Sequence, residues 1–200
     1  FPISPADAFQ GELQGGADAF IARLDGHLGG VERSTLLGGE GSDIIYDLAF
    51  EAGGGIFAAG VTNSAAFPVT EGVFDPTYNL NWEETLPWRD GFVVALSPDL
   101  SDLVASTYLG GGRNDHLQSL VLDGSGVIVG GNTASEDFPC GSTFGPIDGN
   151  DAFVARLDRR LKGLHSCAVF GGGQTGGGSA DSVSAIALGP GGSVFATGRT

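Results

Sequence analysis

"STLLGGEGSDIIYDLAF", residues 34–50, places two apolar segments on either side of a glycine-rich break. In "DIIYDLAF", Ile44, Tyr46, Leu48 and Phe50 fall on one face of an extended chain, and Ile45, Asp47 and Ala49 on the other. Strict alternation of this length is the period of a β-strand. Both faces are largely apolar, so the pattern predicts a strand covered on both sides. Upstream, "VERSTLL" and "DAFIARLD" read the same way, and downstream "GIFAAGVT" follows after the turn "EAGG". Four short strands therefore occupy residues 18–62, with the last two joined as a hairpin.

The same set returns twice. "VTNSAAFPVT" (61–70) recurs as "NTASEDFPCG" (132–141), "GADAFIARLD" (16–25) as "WRDGFVVALS" (88–97) and "GNDAFVARLD" (149–158), and "STLLGG" (34–39) as "STYLGG" (106–111) and the weaker "CAVFGG" (167–172). Phe-Pro pairs begin at residues 1, 67 and 138, which divides the chain into repeats 1–66, 67–137 and 138–200 within a single 1–200 segment. Hairpin turns "DGS" and "GPGG" take the place of "EAGG" in the later copies. Tandem four-stranded units with glycine-rich connections, each apolar on both faces, predict an all-β fold of three β-propeller blades, every blade packed between two neighbours. The small residues Ala19, Gly91 and Ala152, at one position of the three copies, fit close approach of adjacent sheets. Three blades are fewer than a closed ring contains, so the expected partners are further blades of a longer chain or a second copy of this one.

The combination of "STYLGG" followed by Asp, "GVIVGGNTASEDFP" and "DAFVARLD" resembles the SBBP-type bacterial β-propeller repeat family, over essentially the whole chain. That resemblance implies a propeller fold and an extracellular or cell-surface location. It carries no common catalytic activity. The third copy departs from it, with "CAVFGG" in place of "STYLGG" and the extra "QTGGGSA" before Asp181.

Composition narrows the function. Nine basic against 24 acidic side chains leave a net charge of −15, a field that repels nucleic acid and anionic lipid. No apolar run approaches membrane-spanning length, so no membrane insertion is expected. Hydrophobic residues make up 41% of the chain, enough for a packed core despite 36 glycines. Cys140 and Cys167 lie in one repeat without metal-site spacing, and would form one disulfide if the Phe-Pro loop folds back over its own strands.

"GGEGSDIIY" fits the G-G-x-G-x-D-x-U-x nonapeptide of calcium β-rolls letter for letter. Such rolls repeat the nonapeptide back to back, whereas the aligned "GGGRNDHLQ" and "GGGSADSVS" lie a full repeat away and neither keeps the pattern. The stretch reads better as a junction between strands. Asp18, Asp90 and Asp151 precede one strand in each copy, and Asp43, Asp115 and Asp181 precede another. A group recurring once per repeat suits a structural acceptor of backbone N–H groups. Asp148, Asn150 and Asp151 resemble half of a calcium loop, which makes calcium the one cofactor to consider. His27, His116 and His165 occupy unrelated repeat positions and read as turn or surface residues.

The interval from the Phe-Pro pair to the following aspartate is longest in the second copy, from Phe67 to Asp90. It holds both tryptophans of the chain within "FDPTYNLNWEETLPWRD". Tyr78, Trp82, Glu83, Glu84, Trp88 and Arg89 are the candidate ligand-binding residues, because aromatic faces with adjacent carboxylates suit sugar rings. No G-x-S-x-G, H-E-x-x-H or Walker loop is present. The expected function is a non-catalytic secreted or surface module that binds protein or glycan through its loops. The rival is part of a carbohydrate-active enzyme using Glu83, Glu84 or Asp90 as acid and base.

Overall fold

The computed structural model describes residues 7–79, 88–145, 149–171 and 181–200, and over these residues the chain is all-β. The strands are β1 Ala19–Leu24, β2 Val31–Leu37, β3 Asp43–Phe50, β4 Ile56–Thr62, β5 Asp90–Leu96, β6 Leu103–Leu109, β7 Asp115–Leu122, β8 Val127–Thr133, β9 Thr143–Phe144, β10 Asp151–Leu157, β11 Leu164–Phe170, β12 Ser182–Leu188 and β13 Val194–Arg199. All four strands of the first repeat stand where their alternation predicts.

They do not pair as one unit. Hydrogen bonding gives a four-stranded sheet β3-β4-β5-β6, a five-stranded sheet β7-β8-β10-β11-β9, and two pairs, β1-β2 and β12-β13. Each larger sheet thus joins the last two strands of one repeat to the first two of the next. The cause lies in the connections. Between β4 and β5 the long Phe-Pro segment returns the chain antiparallel, pairing Ile56 with Leu96 through to Thr62 with Asp90, and the β8–β10 ladder repeats this register from Val127 with Leu157 to Thr133 with Asp151. Between β2 and β3 only the glycine-rich stretch 38–42 intervenes, and it turns the chain into a new sheet. A single backbone bond fixes that step in every copy: Asp43 N–H to Ala17 O (2.7 Å), Asp115 N–H to Arg89 O (2.7 Å) and Asp181 N–H to Asn150 O (2.9 Å).

A register shift falls at one place in the first strand of each hairpin, between Ile45 and Asp47, Leu117 and Ser119, and Val183 and Ala185. Gly60, Gly131 and Gly198 face these bulges, and a Cβ on any of them would run into the carbonyl oxygen of Ile44, His116 or Ser182. The recurring glycine of "AAGVT", "VGGNT" and "ATGRT" is therefore a steric requirement.

The sheets pack face to face in chain order. Ile21 and Leu37 of β1-β2 meet Ile56, Phe92 and Tyr108 of the next sheet. Phe57, Val93 and Leu109 meet Leu117, Phe153 and Leu157 in the largest core, and Ile128 and Ala152 meet Val183 and Ile186 in the last. β3 contacts β7, and β7 contacts β12, so the first strands of successive sheets lie together. Gly91 allows this approach, since a Cβ there would strike the Leu117 side chain. β4, β5 and β8 are buried along their whole length, as double coverage predicts. β3 departs from it: Tyr46, Leu48 and Phe50 are 49%, 40% and 68% exposed. No sheet lies over that face among the described residues. Cys140 and Cys167 are bonded, tying the segment before β9 to β11.

Candidate functional site

The repeated aspartates form a polar knot at each step between sheets. Asp43 Oδ2 accepts the N–H of Gly39 (2.9 Å) and the hydroxyl of Ser64 (3.0 Å), and Ser64 Oγ accepts the N–H of Gly41 (2.8 Å). In the second copy, Asp115 Oδ2 accepts Gly111 N–H (2.7 Å) and Ser135 Oγ (2.8 Å), while Ser135 Oγ accepts Arg113 N–H (2.8 Å). Thr62 and Thr133 receive the N–H of Ser64 and Ser135. The motifs "TNS" and "TAS" therefore hold the glycine-rich junction in place. Glu40, the remaining acid of the calcium-like nonapeptide, accepts the N–H groups of Ala65 (2.8 Å) and Ala66 (3.0 Å). Its charge is spent on the backbone, as the junction reading requires.

Burial drives the electrostatics of these knots. Asp90 and Asp115 are fully buried, and desolvation pushes them up to about 8 and about 6 respectively, with the neighbouring carboxylates adding to the rise. Asp43 is raised for the same reason. The Oδ1 atoms of Asp18, Asp43, Asp90 and Asp115 are buried without a hydrogen-bond partner among the described residues. For Asp43, Asp90 and Asp115 burial favours the protonated acid.

The long loop lies along the outer edge of β6. Thr70 N–H bonds Ser106 O (3.1 Å), Tyr108 N–H bonds Asp75 O (3.0 Å), and Phe67 packs on Phe92 with ring centroids 4.4 Å apart. Its two roots are then clamped. The Tyr78 hydroxyl donates to the Trp88 carbonyl, and burial, with Asp90 next in effect, raises that phenol to about 12, keeping the proton it donates. Asn79 N–H donates to Asp90 Oδ2 (2.8 Å) and its side-chain amide to Asp75 (2.8 Å). Of the six residues expected at a ligand site, Tyr78, Trp88 and Arg89 come together at this root; Trp82, Glu83 and Glu84 lie outside the described residues. Asp90 sits beneath them, with no surface to offer a substrate.

Arg89 bonds Asn114 Oδ1 through its N–H (2.9 Å), and its carbonyl receives Asp115 N–H. This places it beside His116, whose ring is kept neutral first by burial and then by the Arg89 charge. His116 belongs to strand β7 and is half-buried, which corrects its reading as a turn or surface residue; its recurrence-free position gave no signal of that. His27 lies in the exposed β1–β2 turn, and His165 is exposed on β11. Trp88 Nε1 and His116 Nε2 are buried and have no hydrogen-bond partner among the described residues. A polar row continues from there: Gln118 Nε2 bonds Asn132 Oδ1 (3.2 Å), and Asn132 Nδ2 reaches Asn150 Oδ1 (3.4 Å).

Of the calcium candidates, Asp148 lies outside the described residues, Asn150 joins this row, and Asp151 is buried at the start of β10 beside Asp181, both carboxyls flanking Gly171. Among the described residues no three His, Cys, Asp or Glu side chains converge as a metal-binding group, and no helix is long and apolar enough to cross a membrane. In comparisons with known proteins, no protein-family model matches the chain and no curated protein matches its sequence.

Proposed function

We propose that the chain is a run of SBBP-type propeller blades serving as a non-catalytic secreted or cell-surface scaffold, which binds a glycan through the loop between Phe67 and Asp90. The packing of successive sheets through their first strands supports the propeller reading. The resemblance of the repeat motifs supports the location. The observation that carries the binding reading is the clamped loop root: Tyr78 holds Trp88, the Arg89 charge lies beside His116, and the Nε1 of the half-buried indole and Nε2 of His116 have no hydrogen-bond partner among the described residues. An aromatic surface beside polar donors fits the apolar face and hydroxyls of a sugar ring. The enzymatic alternative loses one of its acids, because Asp90 is fully buried behind Asn79.

A glycan-array screen tests this reading. The wild-type chain binds a restricted set of glycans, and Trp88→Ala and Arg89→Ala each weaken that binding at least tenfold while the melting transition stays in place. Absence of binding to every glycan overturns the glycan reading. New reducing ends released from a bound glycan, lost in Glu83→Gln or Glu84→Gln, would establish the enzyme instead.

A further inference from the structure

A run of contacts leads from Trp88 to a cleft in the first repeat that takes no part in the site above. The Tyr78 hydroxyl holds the Trp88 carbonyl, and the Tyr78 and Tyr108 rings stand 5.8 Å apart, centroid to centroid. The Tyr108 hydroxyl reaches Ser64 O (2.8 Å) and Ala65 O (3.3 Å). The N–H groups of Ala65 (2.8 Å) and Ala66 (3.0 Å) in turn bond the Glu40 carboxylate. Glu40 and Ala66 line a cleft of about 320 Å³, with Phe9, Gln10, Gln14 and Pro68 on its other sides.

The walls of this cleft are held from within the chain. Gln10 Oε1 accepts Gly38 N–H (3.0 Å), Gly16 N–H donates to Gly41 O (2.9 Å), and Ala65 and Ala66 fix Glu40. The lining segments, residues 9–14, 38–40 and 66–68, belong to no strand, so the cleft is not an unpaired sheet edge. The second copy shows why the space is open. Gln14 and Asn79 are counterparts, since each donates its backbone N–H to the equivalent aspartate, Asp18 (2.9 Å) or Asp90 (2.8 Å). Asn79 turns its amide inward to Asp75 (2.8 Å) and Gly110 O (3.5 Å). The longer Gln14 is exposed and reaches Glu12 O (3.4 Å) instead, at the rim.

We infer that this cleft seats a neutral sugar ring, the next unit of a glycan that lies on Trp88. The inference rests on the glycan reading above and adds a second subsite to it. The volume is at the low end of the roughly 300–1,000 Å³ that ligand pockets span, which fits one ring rather than several. Phe9 and Pro68, both half-buried, offer apolar surface to the C–H face of the ring. A carboxylate has about four acceptor positions. Two backbone N–H groups do not exhaust those of Glu40, so a sugar hydroxyl can donate to it. The Gln14 amide both donates and accepts at the rim. Among the described residues no basic side chain lines the cleft, and the fixed charge of Glu40, in a chain of net charge −15, disfavours a uronate there.

Backbone amide shifts of the isotope-labelled chain read the two subsites separately. Glucose, galactose and mannose are titrated singly, with glucuronate as the charged counterpart. At least one neutral hexose is expected to shift the Gly39, Glu40 and Ala66 amides to saturation, and glucuronate to bind about tenfold more weakly or not at all. Ala66→Trp places a large side chain at an exposed lining position and loses these shifts with the melting transition in place. Ala65→Trp, exposed but outside the lining, keeps them. An oligosaccharide selected on the glycan array shifts Trp88 and Arg89 together with Glu40 and Ala66. Shifts at Glu40 and Ala66 alone support the cleft and overturn binding at Trp88; shifts at Trp88 and Arg89 alone do the reverse. The subsite is also overturned if Ala66→Trp responds to the hexose as wild type does, or if no sugar moves Glu40 and Ala66.

Discussion

The carboxyl groups of Asp90 and Asp115 meet over the Cα of Gly110: a methyl group built there would lie 2.9 Å from Asp90 Oδ1 and 3.0 Å from Asp115 Oδ2. Asp18 and Asp43 close on Gly38 in the same manner, with the corresponding distances 2.8 and 2.6 Å. Asp151 and Asp181 flank Gly171. Asp90 opens β5, the third strand of its sheet, and Asp115 opens β7, the first strand of the next; Asp18 and Asp43, and Asp151 and Asp181, stand at the equivalent strand starts, so each pair marks a step between sheets.

Gly110→Ala tests how rigid that step is. Asp90 is held by Asn79, and Asp115 by Gly111 and Ser135, so neither carboxyl can swing away freely. The substitution is expected to cost about 1–3 kcal/mol of stability, read as a lower urea midpoint. Gly141→Ala, where nothing lies within 4 Å of the added carbon, should stay within about 0.5 kcal/mol of wild type. Equal effects at the two sites would contradict the knot as a steric constraint.

The same pair predicts an unusual pH profile. Asp90 and Asp115, raised by burial to about 8 and about 6, hold protons in the folded chain that the unfolded chain loses near pH 4. Their contribution to stability is complete below about pH 4 and is lost as pH rises through 6 and then 8. Each lowers stability by up to about 1.4 kcal/mol per pH unit over its window. Urea midpoints measured from pH 4 to 9 should fall, and Asp90→Asn should flatten the limb between pH 6 and 8. A profile that is flat or rising for the wild type across that range would contradict protonated aspartates in the knots.

Cys140–Cys167 closes a loop of sequence separation 27. Chain-entropy arguments give a stabilisation of about 3.5 kcal/mol for a loop of this size. Reduction, or replacement of both cysteines by serine, should lower the urea midpoint accordingly. It should also speed amide exchange in β9, which is held through Val169 N–H to Ser142 O (3.0 Å) and the bridge itself. Unchanged exchange at Thr143 and Phe144 would show that β9 does not depend on the bond.

Tyr108 is buried, and its hydroxyl donates to Ser64 O (2.8 Å), joining β6 to the "TNS" segment. Tyr108→Phe leaves that carbonyl short of a donor and is expected to cost about 1–2 kcal/mol. A neutral result by thermal melting would place the stability of the segment in the Asp43 and Ser64 bonds alone.

The strands and hairpins were legible in the sequence because alternation and the turns "EAGG", "DGS" and "GPGG" depend only on neighbouring residues. Their partners were not. "GIFAAGVT" has the same period whether it bonds to its own repeat or the next one, and the choice is made by the lengths of the connections on either side of it. The six aspartates were visible as a recurrence, but their meeting over Gly38, Gly110 and Gly171 joins residues of different sheets, which periodicity does not encode. Leu28, Leu100 and Leu161, which hold left-handed φ of 59°, 63° and 56° at equivalent turns, left no local signal either, since "HLGG", "DLSD" and "RLKG" share only the leucine. Within the long loop, aromatic content pointed to Tyr78 and Trp88, while His116 entered the site only through the Arg89 step.

Electron microscopy of the purified chain tests the central claim, that sheets built across repeats are arranged as propeller blades. Class averages are predicted to show sheets fanned about one axis with their first strands innermost. Particles in which the sheets lie in a straight stack, with no common axis in any class, would contradict it.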